Sequence, residues 1–542
     1  MKRRLQNISP SPSLESLEPQ KLHNFTENFA RPTLRPVGSR AHQIWKPSPW
    51  AFTKSSCNRL NHSVLEPGRF HRSTMFREKK QQQSDDLGPV PTSDLGEVAD
   101  CVKPNDIAPQ DAVFGELSKD GPNYRNVGWM GTVVLLFKTQ VGLGVLGIPG
   151  AFDHLGMVPG VVIILVIASM TTWAAWMVGQ FKLTHAHVYG IDDAGRIMAG
   201  KVGREFFFWA FVLHFTFLAA SAMLSISIAL NSLSDHGDCT AIFVVVACLI
   251  GFLFGSIQTL GKVSWIAWAG VAGILTAIFT LTIAVGVNGR PADAPAAVTE
   301  SDFKVFGSST FPEAISAVST IVFAFSCLPA FFSVHSEMRN PQHYMRSLLI
   351  AQGAITVVYL VIGMVVYYYC GSYVASPALG SAGSLMKKIC YGIALPGLTA
   401  SCMLFVHMPA KTIFMRFMRG TKHLTTNTPI HWVAWLSCTV TIAVVAYLIG
   451  SGIPVFDHLL SLVGALLATV TCFQPSGMMW LFDNFKRPDR SWKWYFGLCM
   501  SVFMISAGTF ITVGGTYGAI LGIVNSSDRT SPWSCADNSN ST

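Results

Sequence analysis

Apolar residues in this chain gather into long blocks separated by short polar stretches. Eleven predominantly apolar runs follow residue 126: 127–151, 158–180, 206–233, 241–258, 263–287, 313–336, 347–370, 390–411, 431–450, 455–481 and 494–524. Each reaches the length of about 17–25 residues that a helix needs to cross a hydrocarbon core roughly 30 Å thick. The pattern predicts an all-α integral membrane protein with about 11 transmembrane helices. The least defined boundary lies between the fourth and fifth runs, where only GSIQTLGKVS intervenes.

Composition agrees, since 50% of the chain is hydrophobic and only 13% is charged, against about 25% charged in soluble domains. The net charge of +9 changes meaning once it is located. Residues 1–80 hold 15 Lys and Arg against 5 Asp and Glu, whereas the rest of the chain holds 24 against 25. The basic character belongs to the tail, which reads as a solvated segment weakly attracted to anionic lipid rather than as a nucleic-acid surface. That tail is rich in Ser, Pro, Asn, Gln and His, shows no apolar periodicity and lacks the apolar core of a signal peptide. The organisation predicted is a cytosolic, largely disordered tail (1–126), a transmembrane domain (127–524) and a short outer tail (525–542). Met75 opens MFREKKQQQSDDLGP, so residues 1–74 also read as an over-extended gene model. The 12 cysteines form no C-x-x-C pair, and Cys248, Cys327, Cys402 and Cys472 sit inside apolar runs as small hydrophobes, with no metal site implied. Cys239, Cys390 and Cys535 fall in predicted outer segments, and the sequence leaves their pairing open.

Lys and Arg in the short loops set the orientation. The loops after runs two, four, six, eight and ten carry 15 of them, and the other loops with the C-terminal tail carry 5. The N-terminus is therefore predicted in the cytosol and the C-terminus outside. Asn525 begins an Asn-Ser-Ser sequon just past the last run, on the side where glycans are attached. Sequons at Asn7, Asn24 and Asn61 are expected to stay bare, and Asn540 stands close to the chain end.

Within the first run, GLGVLG (Gly142–Gly147) matches the dinucleotide pattern G-x-G-x-x-G. That reading needs a preceding strand and an acid about 20 residues on, whereas here the stretch lies in an apolar run ending at Pro149, with Asp153 the one acid before Asp192. Two readings survive. Small residues allow membrane helices to pack closely, and three glycines followed by a proline weaken the helix so that free N–H and C=O groups line a polar cavity. The sixth run, VSTIVFAFSCLPAFFSVHSEM, carries Ser326, Cys327 and Pro329 near its middle. Runs one and six hold matching places in two halves of five, and paired interruptions of that kind point to a transporter site.

The stretches FKTQVGLGVLGIPGAF, FAFSCLPAFFSVHSEMRNP and HMPAK resemble the amino acid/auxin permease family, most closely fungal neutral amino acid permeases of the methyltryptophan-sensitive type, over about residues 120–524. The resemblance implies a leucine-transporter-like fold, a 5+5 inverted repeat plus one extra helix, and secondary active import of amino acids. It also implies a substrate held at two unwound segments, here Val141, Gly142, Leu143, Gly144, Val145 and Leu146 in the first run and Phe323, Ala324, Phe325, Ser326 and Cys327 in the sixth. Backbone N–H groups around Gly142–Val145 are expected to hold the carboxylate, and carbonyls near Ala324–Ser326 the ammonium. Phe323 and Phe325 read either as pocket wall or as lipid- or core-facing residues.

Lys138, one turn before Gly142, is the Lys or Arg lying well inside a run and is a functional candidate by its cost. Sodium-coupled members of the resembled family place an amide there and proton-coupled relatives a lysine. Burial disfavours the charged form of an amine, so such a residue can exchange a proton. Lys138 is thus the expected coupling-ion residue. His214, His335 and His407 are weaker relay candidates, with the structural reading preferred, and Glu337 with Arg339 a candidate gate. No nucleophile–base set or phosphate loop is present, so the expectation is a non-enzyme without cofactor, driven by a proton gradient, carrying neutral amino acids at a plasma or vacuolar membrane; an amino acid-sensing receptor is the rival class.

Overall fold

The computed structural model describes residues 125–525 apart from scattered loop positions, two short strand pieces before them, and part of 533–539. The chain order is α1 (Trp129–Gln140), α2 (Gly144–Leu155), α3 (Met157–Thr184), α4 (Ile191–Ser234), α5 (Thr240–Gly255), α6 (Leu260–Asn288) and α7 (Phe311–Ala324). It continues with α8 (Ala330–Ser336), α9 (Tyr344–Cys370), α10 (Ser384–Met418), α11 (Pro429–Gly452), α12 (Phe456–Leu462), α13 (Gln474–Asn484) and α14 (Trp492–Asn525). A two-residue antiparallel ribbon, Gln110–Asp111 with Gly115–Glu116, precedes them.

Every predicted apolar run corresponds to helix, and among the described residues eight helices are long and apolar enough to cross a membrane, or nine if α1 and α2 make one bent span. Runs four and six give the shorter helices Thr240–Gly255 and Phe311–Ala324. Helix length by itself therefore does not confirm the count of eleven. Side chains such as Leu253, Trp265 and Val287 stand exposed on the outside of the bundle, as lipid-facing positions do.

α4, α5 and α6 pack around α10, α9 runs against α1, α2 and α3, and α14 covers α7 and α13. Close backbone approach makes the α6–α10 contact possible: a Cβ on Gly397 would stand 2.9 Å from the Gly270 carbonyl oxygen. α7 begins with a capping box, the Thr310 N–H donating to the Glu313 carboxylate over 2.8 Å. Between α12 and α13 the helix widens into a π-helical stretch, Val463–Phe473, a local unwinding common at functional sites that the run 455–481 did not reveal.

Cys239 and Cys535 form a disulfide, which answers the open pairing, while Cys390 is a buried free thiol on α10. The bond clips the C-terminal segment over α4, where the Asn538 and Asn231 side chains meet at 2.6 Å. Asn525 ends α14 with an exposed side chain. Asn7, Asn24, Asn61 and Asn540, like Met75 and nearly all of 1–126, lie outside the described residues.

Candidate functional site

The glycines break the first helix where the run predicted. α1 ends at Gln140, α2 starts at Gly144, and the two are bent by 46°. Pro149 does not mark the break: it lies inside α2. The glycines upstream do the unwinding, and a proline near a helix start removes one bond while the helix continues. In the second interruption α7 ends at Ala324 and α8 resumes after Pro329, which sits at its N-cap. There the missing N–H of proline costs nothing.

Both interruptions are buried, with every residue of Val141–Leu146 and Phe323–Cys327 in the interior. Phe323 and Phe325 therefore do not face lipid. Among the described residues, no backbone carbonyl accepts from the N–H groups of Gly142, Leu143, Gly144 or Val145. Buried N–H groups left so are costly, and here they form a consecutive row at the N-terminal, positive end of a half-helix. Nearby, the side chains of Gln140 and Ser326 are buried with amide and hydroxyl atoms lacking hydrogen-bond partners.

The acceptors on the other side are partly engaged. The Ala324 carbonyl accepts from the Tyr359 hydroxyl of α9 at 2.9 Å, and the Ser326 carbonyl from the Cys472 thiol of the π-helical stretch at 3.0 Å. Of the three carbonyls expected to take an ammonium, Phe325's alone accepts no hydrogen bond among the described residues.

Lys138 is fully buried, and its Nζ turns up onto the break, donating to the Val141 carbonyl at 3.2 Å and to Ser401 Oγ of α10 at 2.6 Å. Among the described residues no carboxylate forms an ion pair with it. An ammonium here is held by neutral dipoles alone, the Val141 carbonyl and the Ser401 hydroxyl.

A cavity of about 310 Å³ opens at the far end of α2, bounded by Gly147, His154, Thr320, Glu313, Asp457 and His458 among others, with Asn525 at its rim. It stops on one side of the two breaks. The opposite end is closed. Val127 and Met338 form a parallel bridge, with the Val127 N–H donating to the Glu337 carbonyl at 3.1 Å and the Arg339 N–H to the Val127 carbonyl at 2.9 Å. The Glu337 carboxylate is paired, in full burial, with Lys411 of α10, and Lys182 of α3 donates to Ser336. Glu337 and Arg339 thus lie together at this closure but with different partners, Arg339 donating to the Asn126 side chain at 2.9 Å.

The histidines have other surroundings. His214 meets Thr471 at 2.8 Å, His335 packs on Tyr344 and His407 on Trp435.

Residues 125–521 match the family described as transmembrane amino acid transporter protein. The chain belongs to this amino acid transporter family. The transporter is 31% identical to a transmembrane transporter of Gibberella moniliformis over 79% of its length and 91% of the relative's. It is also 31% identical to the N amino acid transport system protein of Neurospora crassa, over 78% and 91%. Among solved structures it resembles MhsT in complex with L-phenylalanine, at 12% identity and a TM-score of 0.50, covering 74% of this chain and all of that one. Mhp1, a nucleobase-cation-symport transporter, gives 14% identity and a TM-score of 0.50 over 74% and 93%. These two show the fold, a leucine-transporter-like helical membrane architecture. An enzyme is not what this family or fold describes.

Sequence reading identified Lys138, the glycines and the second break. It missed Ser401, Tyr359 and Cys472, each an ordinary residue of a distant helix with no local signal, and it did not assign Lys411, the last residue of the HMPAK stretch, as the partner of Glu337.

The buried Glu337–Lys411 pair yields a direct prediction. Lys411→Met removes the ammonium beside a buried carboxylate, a loss of about 3–5 kcal/mol for such pairs, and should sharply lower the amount of folded carrier. The double variant Lys411→Met/Glu337→Gln should recover much of it, as read by thermal unfolding of purified protein.

Proposed function

We propose that the transporter imports neutral amino acids by proton symport, with the substrate gripped at the two breaks. The observation carrying this is the row of unengaged N–H groups at Gly142–Val145 in one break, with the Lys138 amine held at the same break and the Phe325 carbonyl of the other break accepting no bond among the described residues. N–H donors suit a carboxylate and carbonyls an ammonium, so the site suits a zwitterion. A side-chain carboxylate or cation would meet no counter-charge among the described groups of the breaks other than Lys138, which favours neutral substrates.

The cavity on one side and the ion-paired closure on the other suit alternating access, with the cavity as the entrance from outside. The orientation proposed places the N-terminus in the cytosol and the C-terminus outside. The Cys239–Cys535 disulfide supports it, because such bonds persist in an oxidising compartment. The plasma membrane is the location proposed.

Purified carrier in liposomes provides the test. Labelled neutral amino acids should accumulate when the outside is made acidic and ignore a sodium gradient. Accumulation that follows sodium and is indifferent to pH overturns the coupling, and no flux of any amino acid overturns the function.

A further inference from the structure

Tyr359 occupies a place that neither break explains. Its ring is fully buried on α9 and packs edge-on against Phe325, with centroids 4.9 Å apart. Its hydroxyl lies 2.9 Å from the Gln140 carbonyl and 2.9 Å from the Ala324 carbonyl. Those are the last residues of α1 and α7. Both carbonyls therefore belong to the C-terminal, negative ends of half-helices, where oxygens lack an intrahelical donor. A phenol has one proton to donate, so it satisfies one of the two oxygens at a time and leaves the other short of a donor.

We propose that Tyr359 is a positioning residue that staples the two breaks together in the empty carrier, and that the ammonium of an arriving amino acid takes over both of its acceptors. This rests on the substrate reading above. An ammonium has three protons to donate where the phenol has one, so with substrate bound it joins the two carbonyls itself and the phenol is no longer the group that links them. Without substrate, the shared proton is what keeps the ends of α1 and α7 facing each other. The staple thus acts when the carrier must reorient unloaded, and substrate relieves the need for it. The adjacent buried Gln140 amide and Ser326 hydroxyl, which lack partners, mark the same place as one prepared for polar contacts that the protein alone does not supply.

Net uptake requires the empty carrier to return, whereas exchange of labelled for unlabelled amino acid keeps it loaded throughout. Tyr359→Phe retains the ring against Phe325 and removes the proton. Net uptake into liposomes should fall about tenfold, the scale of one lost buried hydrogen bond, while exchange stays within about twofold of the parent. Equal loss of both rates, or loss of neither, overturns the staple. Substrate protection against heat inactivation needs only folded carrier and gives a second reading: the amino acid should protect Tyr359→Phe at least as well as the parent, and weaker protection counts against the proposal. Parent protein showing neither uptake nor exchange would instead sink the substrate reading.

Discussion

Alanine at Gly144 should abolish uptake, while alanine three residues on, at Gly147, should only reduce it. A Cβ on Gly144 would stand 2.3 Å from the Ala324 Cα and 2.7 Å from its Cβ. The Ala324 backbone cannot rotate away, so the two breaks would be forced apart and the donor row would lose its register with the opposing carbonyls. At Gly147 the nearest atoms are the ends of Leu460 and Thr320, at 2.9 and 3.0 Å, which can shift. Gly142 falls between, because its Cβ would strike the Ser401 hydroxyl at 2.5 Å and approach the Lys138 amine at 3.3 Å. Gly150, with nothing within 4 Å, is the control.

Overpacking of this kind costs about 1–3 kcal/mol, or about ten- to hundredfold in a population for each 1.4 to 2.8 kcal/mol. Uptake normalised to surface-labelled protein should rank Gly150→Ala near the parent, then Gly147→Ala, Gly142→Ala and last Gly144→Ala. A Gly144→Ala carrier working at the parent rate would leave the motif without the close contact argued for it. The result also bears on the two readings of the glycines, which the structure joins: Gly144 permits close packing, and the packing it permits is between the two broken segments themselves.

What the sequence disclosed of the fold was whatever local pattern encodes. Apolar runs mark helices because a membrane requires about 20 such residues in succession, and the breaks show because Gly and Pro act on the backbone next to them. Even there the signals differed in precision. Pro149 looked like a stop and sits inside α2, since a proline weakens one bond and three nearby glycines unwind a turn. Span number blurred for the same reason that the site exists, because a broken helix is two short ones. The partners of the breaks were not legible: Ser401 lies 263 positions from Lys138 and Tyr359 lies 219 from Gln140. Serine and tyrosine in a membrane helix announce nothing until packing brings them to a particular atom. Glu337 showed itself as a charge at a helix end, but the helix bringing Lys411 to it could not be read from spacing.

Lys138→Met should separate movement of substrate from its accumulation. Methionine keeps an unbranched apolar stem, one heavy atom shorter, in the buried place and removes the amine that donates to the Val141 carbonyl and to Ser401. If that amine takes up and releases the coupling proton, the variant can still exchange amino acid across the membrane but cannot draw on the gradient. The driving force at stake is large: about 2.3 kcal/mol from one charge crossing 100 mV and about 2.7 from two pH units. Together they sustain a concentration ratio of roughly several thousandfold, at 1.4 kcal/mol per factor of ten. In liposomes with an acidic exterior the parent should therefore accumulate substrate far above the outside level, whereas Lys138→Met should level off near equality and lose its response to outside pH. Ser401→Ala removes only one of the amine's two acceptors, so it should weaken accumulation without erasing it. Steep accumulation by Lys138→Met under the same pH gradient would exclude the amine as the proton carrier and leave it a brace between α1 and α10.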